Sequence, residues 1–177
     1  MLRAGLFFLL TVPTQALALS CTISFGVTVT HGIGRYPPGT ALHGTAEFAT
    51  RGSFRQEGGA TAHLATGTMT LDGQITGRLW TVITTSRTQA ADLIGLYAQD
   101  VEGLSFVGQD FTGPMAITLF GRRGSWPHDR PPVTQAEWDS LDLRRVFQLH
   151  APTSPDMLGG DITGLDAACL DSARNAP

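Results

Sequence analysis

Residues 67–86 read GTMTLDGQITGRLWTVITTS, two segments of alternating apolar and polar residues on either side of Asp72-Gly73. An Asp-Gly pair suits a type I′ turn, because both central residues must take positive φ and the twist of this turn matches the strands it joins. The stretch therefore predicts a β-hairpin. Its second strand also carries Trp80 and Val82 on the otherwise polar face, so we expect a second layer of the protein to cover that face.

The same alternation recurs along most of the chain, between segments rich in Gly and Pro. Further strands are predicted at residues 22–30, 40–49, 104–107, 115–120, 144–150 and 162–165. Residues 51–59 are interpreted as a polar turn region, and residues 61–66 are expected to lead into the hairpin. Two short helices are also predicted, because residues 89–98 (QAADLIGLYA) have apolar side chains at helical spacing and Thr134 with Glu137 matches a capping box. Seven to eight short strands with one or two short helices predict an all-β, mainly antiparallel fold, either a sandwich or a small barrel.

Residues 1–18 have the layout of a secretory signal peptide. Arg3 is the positive end, residues 6–12 are apolar, and small residues lead up to Ala18. We expect cleavage after Ala18, which leaves residues 19–177 as a single β-rich domain that is periplasmic or secreted. The apolar run is well below the roughly 20 residues of a membrane-spanning helix, so we expect a mature chain that does not span a membrane.

Cys21 and Cys169 are the two cysteines of the chain, and they lie near opposite ends of the expected mature protein. We predict an intramolecular disulfide in an oxidising compartment, which would hold the first strand beside the C-terminal tail. The alternative is a lipoprotein signal that anchors Cys21 to lipid, although residues 18–20 (ALS) are a poor version of the triplet that such signals carry.

The charge of the chain narrows the classes of partner. All 12 basic side chains are arginine, and the formal net charge is −3. This acidic balance lacks the electrostatic footprint of nucleic-acid binding, so we expect no nucleic-acid partner. A small molecule and another protein of the envelope stay open as partners. No pattern points to a cofactor or a metal, since no two histidines are two or four residues apart, as a strand or helix metal site would place them.

Residues 121–132, GRRGSWPHDRPP, form the candidate ligand-binding segment. The segment is too rich in Gly, Pro and charge for regular structure. Arginine forks bind anions and carboxylates through paired hydrogen bonds, so the segment could clamp such a ligand. The alternative is a solvated connection between a strand and a helix. The candidate binding residues are Arg122, Arg123, His128, Asp129 and Arg130.

The sequence thus predicts a binding or structural module and defines no reaction. Two alternatives stay open: a barrel that holds an apolar small molecule, and a hydrolase that uses residues 121–132 with His128. Ser125, His128 and Asp129 are too close in sequence to predict a catalytic triad. We expect the tryptophans of the chain to fill the core or to cover its ends.

Overall fold

Eight antiparallel strands close into a barrel, so the predicted all-β fold is confirmed, and it is a barrel rather than a sandwich. The computed structural model describes residues 19–56, 59–85 and 91–171, and the predicted signal peptide lies outside them. In chain order the elements are β1 (Leu19–His31), β2 (Ala41–Arg55), β3 (Ala60–Leu71), β4 (Ile75–Thr85), β5 (Ala91–Glu102), β6 (Ser105–Phe106), β7 (Gln109–Asp110), β8 (Met115–Arg122), α1 (Gln135–Asp139), β9 (Arg144–His150) and β10 (Met157–Asp171).

The barrel follows the order of the chain. Each barrel strand pairs with the next one, and β10 pairs back with β1. The short strands β6 and β7 form a separate hairpin between β5 and β8, and α1 lies between β8 and β9. Because the sheet closes on itself, each of the eight barrel strands has two neighbours. β9 covers only Met157–Asp161 of β10, and further along that edge the Gln135 side chain hydrogen-bonds to the backbone of Leu165 and Ala167.

The turn between β3 and β4 has the predicted geometry. Asp72 and Gly73 have φ values of 54° and 64°, and the N–H of Gln74 donates to the carbonyl of Leu71 at 3.2 Å. Positive φ at both central residues is what a type I′ turn requires. The hairpin prediction is therefore confirmed.

The two faces of β4 differ from the prediction. The register between β4 and β5 shifts between Leu79 and Thr81, and one extra residue moves the following side chains to the opposite face. Val82 is consequently buried inside the barrel, whereas Trp80 lies on the outer wall and is 40 % exposed. Within the described part of the chain, the second layer that we expected over Trp80 is absent.

The helix predicted at residues 89–98 is wrong, because residues 91–98 belong to β5. Ile94, Leu96 and Ala98 are inaccessible at alternate positions, which is the period of a strand. The apolar residues of this segment fit the spacing of a helix as well as that of a strand. The strand forms because β5 lies between β4 and β8 and pairs with both. Several strands also run past their predicted ends, since β2 continues to Arg55 through a segment that we interpreted as a turn.

Large apolar side chains occupy the interior of the barrel. Inward-facing residues alternate with Thr, Ser and charged residues on the outer wall, as β1 shows along its whole length. The rings of Phe25 and Phe147 stack across the interior with their centroids 6.4 Å apart. Met69, Leu79 and Met115 are fully buried beside them. A barrel of eight strands is just wide enough for side chains of this kind to fill it.

A disulfide links the strands that close the barrel. Cys21 on β1 and Cys169 on β10 stand directly opposite each other, with their Cα atoms 4.1 Å apart. The predicted pairing is present in the structure. The bond uses the sulfur atom that a lipid anchor at Cys21 would need, so disulfide and lipidation exclude one another.

Loops close both ends of the barrel. Residues 123–143, which we call the cap, connect β8 to β9 and bury Trp126 and Trp138 at the end where β1 begins, the capped end. At the opposite end, the hairpin end, Tyr36 and Phe111 are buried in the same way. Two of the three tryptophans therefore cover an end of the core, as expected, whereas Trp80 does not.

Candidate functional site

The candidate ligand-binding segment forms the first part of the cap. Residues 123–132 have no helix or strand, as predicted, whereas Gly121 and Arg122 of the segment belong to the end of β8. A side chain in place of Gly121, near the end of β8, would overlap the Ser125 hydroxyl and Leu141. Glycine therefore lets the cap lie directly on the end of the barrel.

The predicted capping box is confirmed and starts α1. The Thr134 hydroxyl accepts from the N–H of Glu137 at 3.3 Å, and the Glu137 carboxylate accepts from the N–H of Thr134 at 3.1 Å. These bonds satisfy N–H groups that a helix start leaves without partners. The helix that follows places Trp138 in the interior, fully buried.

Arg130 and Glu137 join the two halves of the cap. The Arg130 guanidinium donates to both carboxylate oxygens of Glu137, at 2.7 and 3.2 Å, and lies over the Trp126 ring. Partial burial alone would raise the pKa of Glu137, but hydrogen bonds from Arg130, Val133 and Thr134 outweigh it and lower that pKa to about 2. Glu137 is therefore ionised wherever the protein is folded at ordinary pH.

A buried carboxylate holds the cap from inside the barrel. Asp92 on β5 is 1 % exposed, and it accepts a hydrogen bond from the N–H of Trp126 at 2.7 Å. The Trp126 indole N–H donates in turn to the carbonyl of Arg130 at 3.0 Å. A buried carboxylate is costly unless hydrogen bonds satisfy it, so this contact ties the cap to the barrel wall.

A buried histidine lies beneath the cap on the β3 side. The ring of His63 is 3.2 Å from the Thr84 hydroxyl. Burial lowers the pKa of His63, and the hydrogen bond to the backbone of Asp129 and the charge of Asp129 oppose the shift only in part. His63 is therefore neutral at physiological pH. The carboxylate of Asp129 also forms an ion pair with Arg55 at 3.2 Å.

Three of the predicted binding residues have their side chains in contacts that hold the cap. Those of Asp129 and Arg130 pair with Arg55 and Glu137, and the His128 ring packs edge-on against Trp126 with centroids 4.8 Å apart. The other two, Arg122 and Arg123, have exposed side chains where β8 ends.

Three large apolar side chains meet on the outer wall near the capped end. Phe54 on β2, Leu64 on β3 and Trp80 on β4 are 50 %, 47 % and 40 % exposed. Leu64 stands opposite Gly52 on one side and Thr81 on the other. Phe54, two residues beyond Gly52, is its diagonal neighbour, and Trp80 directly precedes Thr81, so the three residues occupy neighbouring positions of the sheet. We call Phe54, Leu64 and Trp80 the outer patch.

The sequence interpretation missed several of these residues. Asp92 was included in a predicted helix, although its alternation with Ile94 and Leu96 carried the strand signal that would have placed it inside. Phe54 was assigned to a polar turn region. His63 stands at even spacing from Met69 and Leu71 along β3, so the alternation of this strand carried the signal that would have placed it inside.

Metal-binding clusters, membrane-spanning helices and similarity to known proteins are three further indicators of function. Within the described ranges, no three His, Cys, Asp or Glu side chains come together as a metal ion would require. No helix in the same ranges is long and apolar enough to cross a membrane. No protein family, curated protein or solved structure matches the chain.

Proposed function

We propose that the protein is an exported binding module that associates with a component of the cell envelope through the outer patch. The observation that carries this proposal is the meeting of Phe54, Leu64 and Trp80 on three neighbouring strands, each at least 40 % exposed. Single exposed apolar residues are normal on protein surfaces, but a cluster of large ones is typical of an interaction site.

Export is supported by two independent features. The layout of residues 1–18 is that of a signal peptide, and disulfides such as Cys21–Cys169 persist in oxidising compartments. N-terminal sequencing of the protein from the envelope fraction is expected to begin at Leu19. A chain that retains Met1 would contradict export.

Binding on the outside of the barrel is supported by the way its interior is occupied. An eight-stranded barrel has room either for side chains or for one small ligand. Phe25 and Phe147 stack in that space, and Met69 and Ile94 are fully buried there. A barrel that carries an apolar ligand is therefore less well supported than one that binds through its wall.

Catalysis by residues 121–132 also has less support. The Ser125 hydroxyl is buried with no hydrogen-bond partner, so no imidazole activates it. The His128 ring packs against Trp126, and the Asp129 carboxylate binds Arg55. These contacts explain the segment as the structural part of the cap.

Cosedimentation with envelope fragments tests the proposal. We expect the wild-type protein to sediment with the fragments, and the double variant Phe54→Ser, Trp80→Ser to stay in the supernatant with an unchanged circular dichroism spectrum. The matched control is Val107→Ser, since Val107 is 86 % exposed but lies between β6 and β7 at the hairpin end. Equal sedimentation of the patch variant and the wild type would refute the proposal.

A further inference from the structure

The outer patch is small compared with the interface of a stable protein dimer. From the exposed fractions of its three side chains, its apolar area is roughly 300 Å², because large apolar side chains have surfaces on the order of 200 Å². A stable protein interface needs roughly 800 Å² per partner, so the patch is too small to hold a second copy of the chain. It suits a partner that receives separate apolar side chains without shape complementarity.

The backbone of β3 and β4 around the patch offers nothing to a peptide strand. At the patch, β3 is paired with β2 and β4, and β4 is paired with β3 and β5, whereas the pairing of β2 with β1 is described only as far as Ala49. Addition of a peptide strand to a sheet requires a free edge. Gly52 beside Leu64 has open space where a side chain would stand, which leaves the patch as three protruding side chains rather than a groove.

Arginines flank the patch on both sides. Arg51 lies three residues before Phe54 on β2, and Arg78 lies two residues before Trp80 on the same face of β4. Arg55 follows Phe54 directly, and its side chain turns to the cap, where it pairs with Asp129. The Arg55 and Arg78 side chains are 71 % and 58 % exposed and pair with carboxylates that are also exposed. Ion pairs in water are weak and readily exchange partners. An anionic group can therefore take the place of Asp100 beside Arg78, whereas the pairing of Arg55 with Asp129 belongs to the cap.

The two ends of the barrel differ in charge. Of the nine arginines in the described ranges, seven lie at or near the capped end: Arg51, Arg55, Arg122, Arg123, Arg130, Arg144 and Arg145. Six acidic residues of the described ranges lie at the same end, namely Asp92, Asp129, Glu137, Asp139, Asp142 and Asp171, so the arginines there exceed the acidic residues by one. The hairpin end instead carries five carboxylates: Asp72, Asp100, Glu102, Asp110 and Asp156. A negatively charged surface would attract the capped end and repel the hairpin end.

We propose that the outer patch is a peripheral lipid-binding surface that recognises anionic phospholipid, an inference that rests on the proposed function. Phe54, Leu64 and Trp80 enter the headgroup region of the bilayer, and Arg51 and Arg78 bind lipid phosphates. The indole of Trp80 suits this position, because tryptophan concentrates where apolar and polar layers meet. Guanidinium forks bind phosphate oxygens through paired hydrogen bonds. The partner is a bilayer surface, since small area, protruding side chains and flanking cations together fit no folded protein as well.

Vesicles without protein test this inference. One set contains phosphatidylcholine alone, and the other an equimolar mixture of phosphatidylcholine and phosphatidylglycerol. We expect the mature, disulfide-bonded protein to float with the mixed vesicles and much less with the neutral ones. Each of Phe54→Ser and Leu64→Ser should weaken binding by up to roughly 70-fold, because roughly 100 Å² of apolar surface, at about 25 cal/mol per Å², then no longer leaves water. Val107→Ser, at the hairpin end, should bind like the wild type.

Tryptophan fluorescence reports the orientation directly. Trp126 and Trp138 are 2 % and 0 % exposed, so brominated lipid chains can quench only Trp80. Quenching in mixed vesicles, lost in Arg51→Ser with Arg78→Ser, is the expected result. Binding without quenching, or equal binding to both vesicle types, would overturn the lipid assignment.

The outcomes also separate this inference from the proposed function. Binding to envelope fragments that requires the patch, without binding to protein-free vesicles, would assign the patch to an envelope protein and refute the lipid assignment alone. Patch-dependent dimers in solution would assign it to a second copy and refute it as well. Absence of binding to both fragments and vesicles would refute both proposals.

Discussion

Removal of the Cys21–Cys169 bond should destabilise the barrel through its unfolded state. The bond closes a loop with a sequence separation of 148, and for a loop of this size the chain-entropy relation gives a loss of about 5 kcal/mol at 25 °C. In a domain of this length, that corresponds to a fall in Tm of about 10–20 °C. The native fold should persist, because β1 and β10 pair over their whole length without the bond.

Urea unfolding of the double variant Cys21→Ala, Cys169→Ala measures this loss. The m-value should rise, because an unfolded chain without the cross-link exposes more surface. Wild-type protein in reductant is the matched control, since it keeps both sulfur atoms in the core and separates loop entropy from lost packing. A loss below about 1 kcal/mol with an unchanged m-value would refute the entropic reasoning.

Three further predictions concern the cap. Asp92→Ala should lower the free energy of unfolding by about 2 kcal/mol, because the Trp126 N–H loses its acceptor, and Asp92→Asn should lower it less since it keeps a carbonyl oxygen; thermal unfolding of both checks this. The pKa of Glu137 falls from 4.5 to about 2 on folding, so its contribution to the free energy of unfolding is complete above pH 4.5 and is lost towards pH 2. Glu137→Gln should therefore flatten the acid side of the profile of stability against pH. An unchanged profile would contradict the Arg130 contact. The pKa of His63 is lowered on folding from 6.5, so protonation of the unfolded chain should reduce stability as the pH falls below 6.5; His63→Gln should remove this slope, and substitution of the exposed His31 should not.

Local signals made part of the fold predictable. The turn at Asp72-Gly73 and the capping box of Thr134 and Glu137 each depend on two to four consecutive residues. Both the hairpin and the capping box are confirmed. The disulfide followed from the number and position of the cysteines. Residues 89–98 were misassigned because a strand between two partners gains pairing that no local pattern reveals.

The candidate surface was much less predictable than the fold. Trp80 drew attention as an apolar residue on a polar face, but its exposure depends on the register shift between Leu79 and Thr81. Phe54 joins it only because β2 extends to Arg55. The charged residues of the candidate ligand-binding segment were visible in the sequence. The partners of Asp129 and Arg130 were not, because Arg55 comes from β2 and Glu137 from α1. Contacts between distant segments are what the sequence alone does not show.

The pairing of β1 with β10 sets the order of events during synthesis. A ribosome makes β1 first and β10 last, so the hydrogen-bonding edge of β1 has no partner until the final strand is complete. Contacts that span almost the whole chain form slowly, and an unpaired edge is open to other chains in the meantime. A chain that ends before β10 would keep two such edges permanently. The barrel can therefore close only when the fifteen residues of β10 are present. The disulfide likewise forms only in a chain that contains β10, because Cys169 lies on this strand.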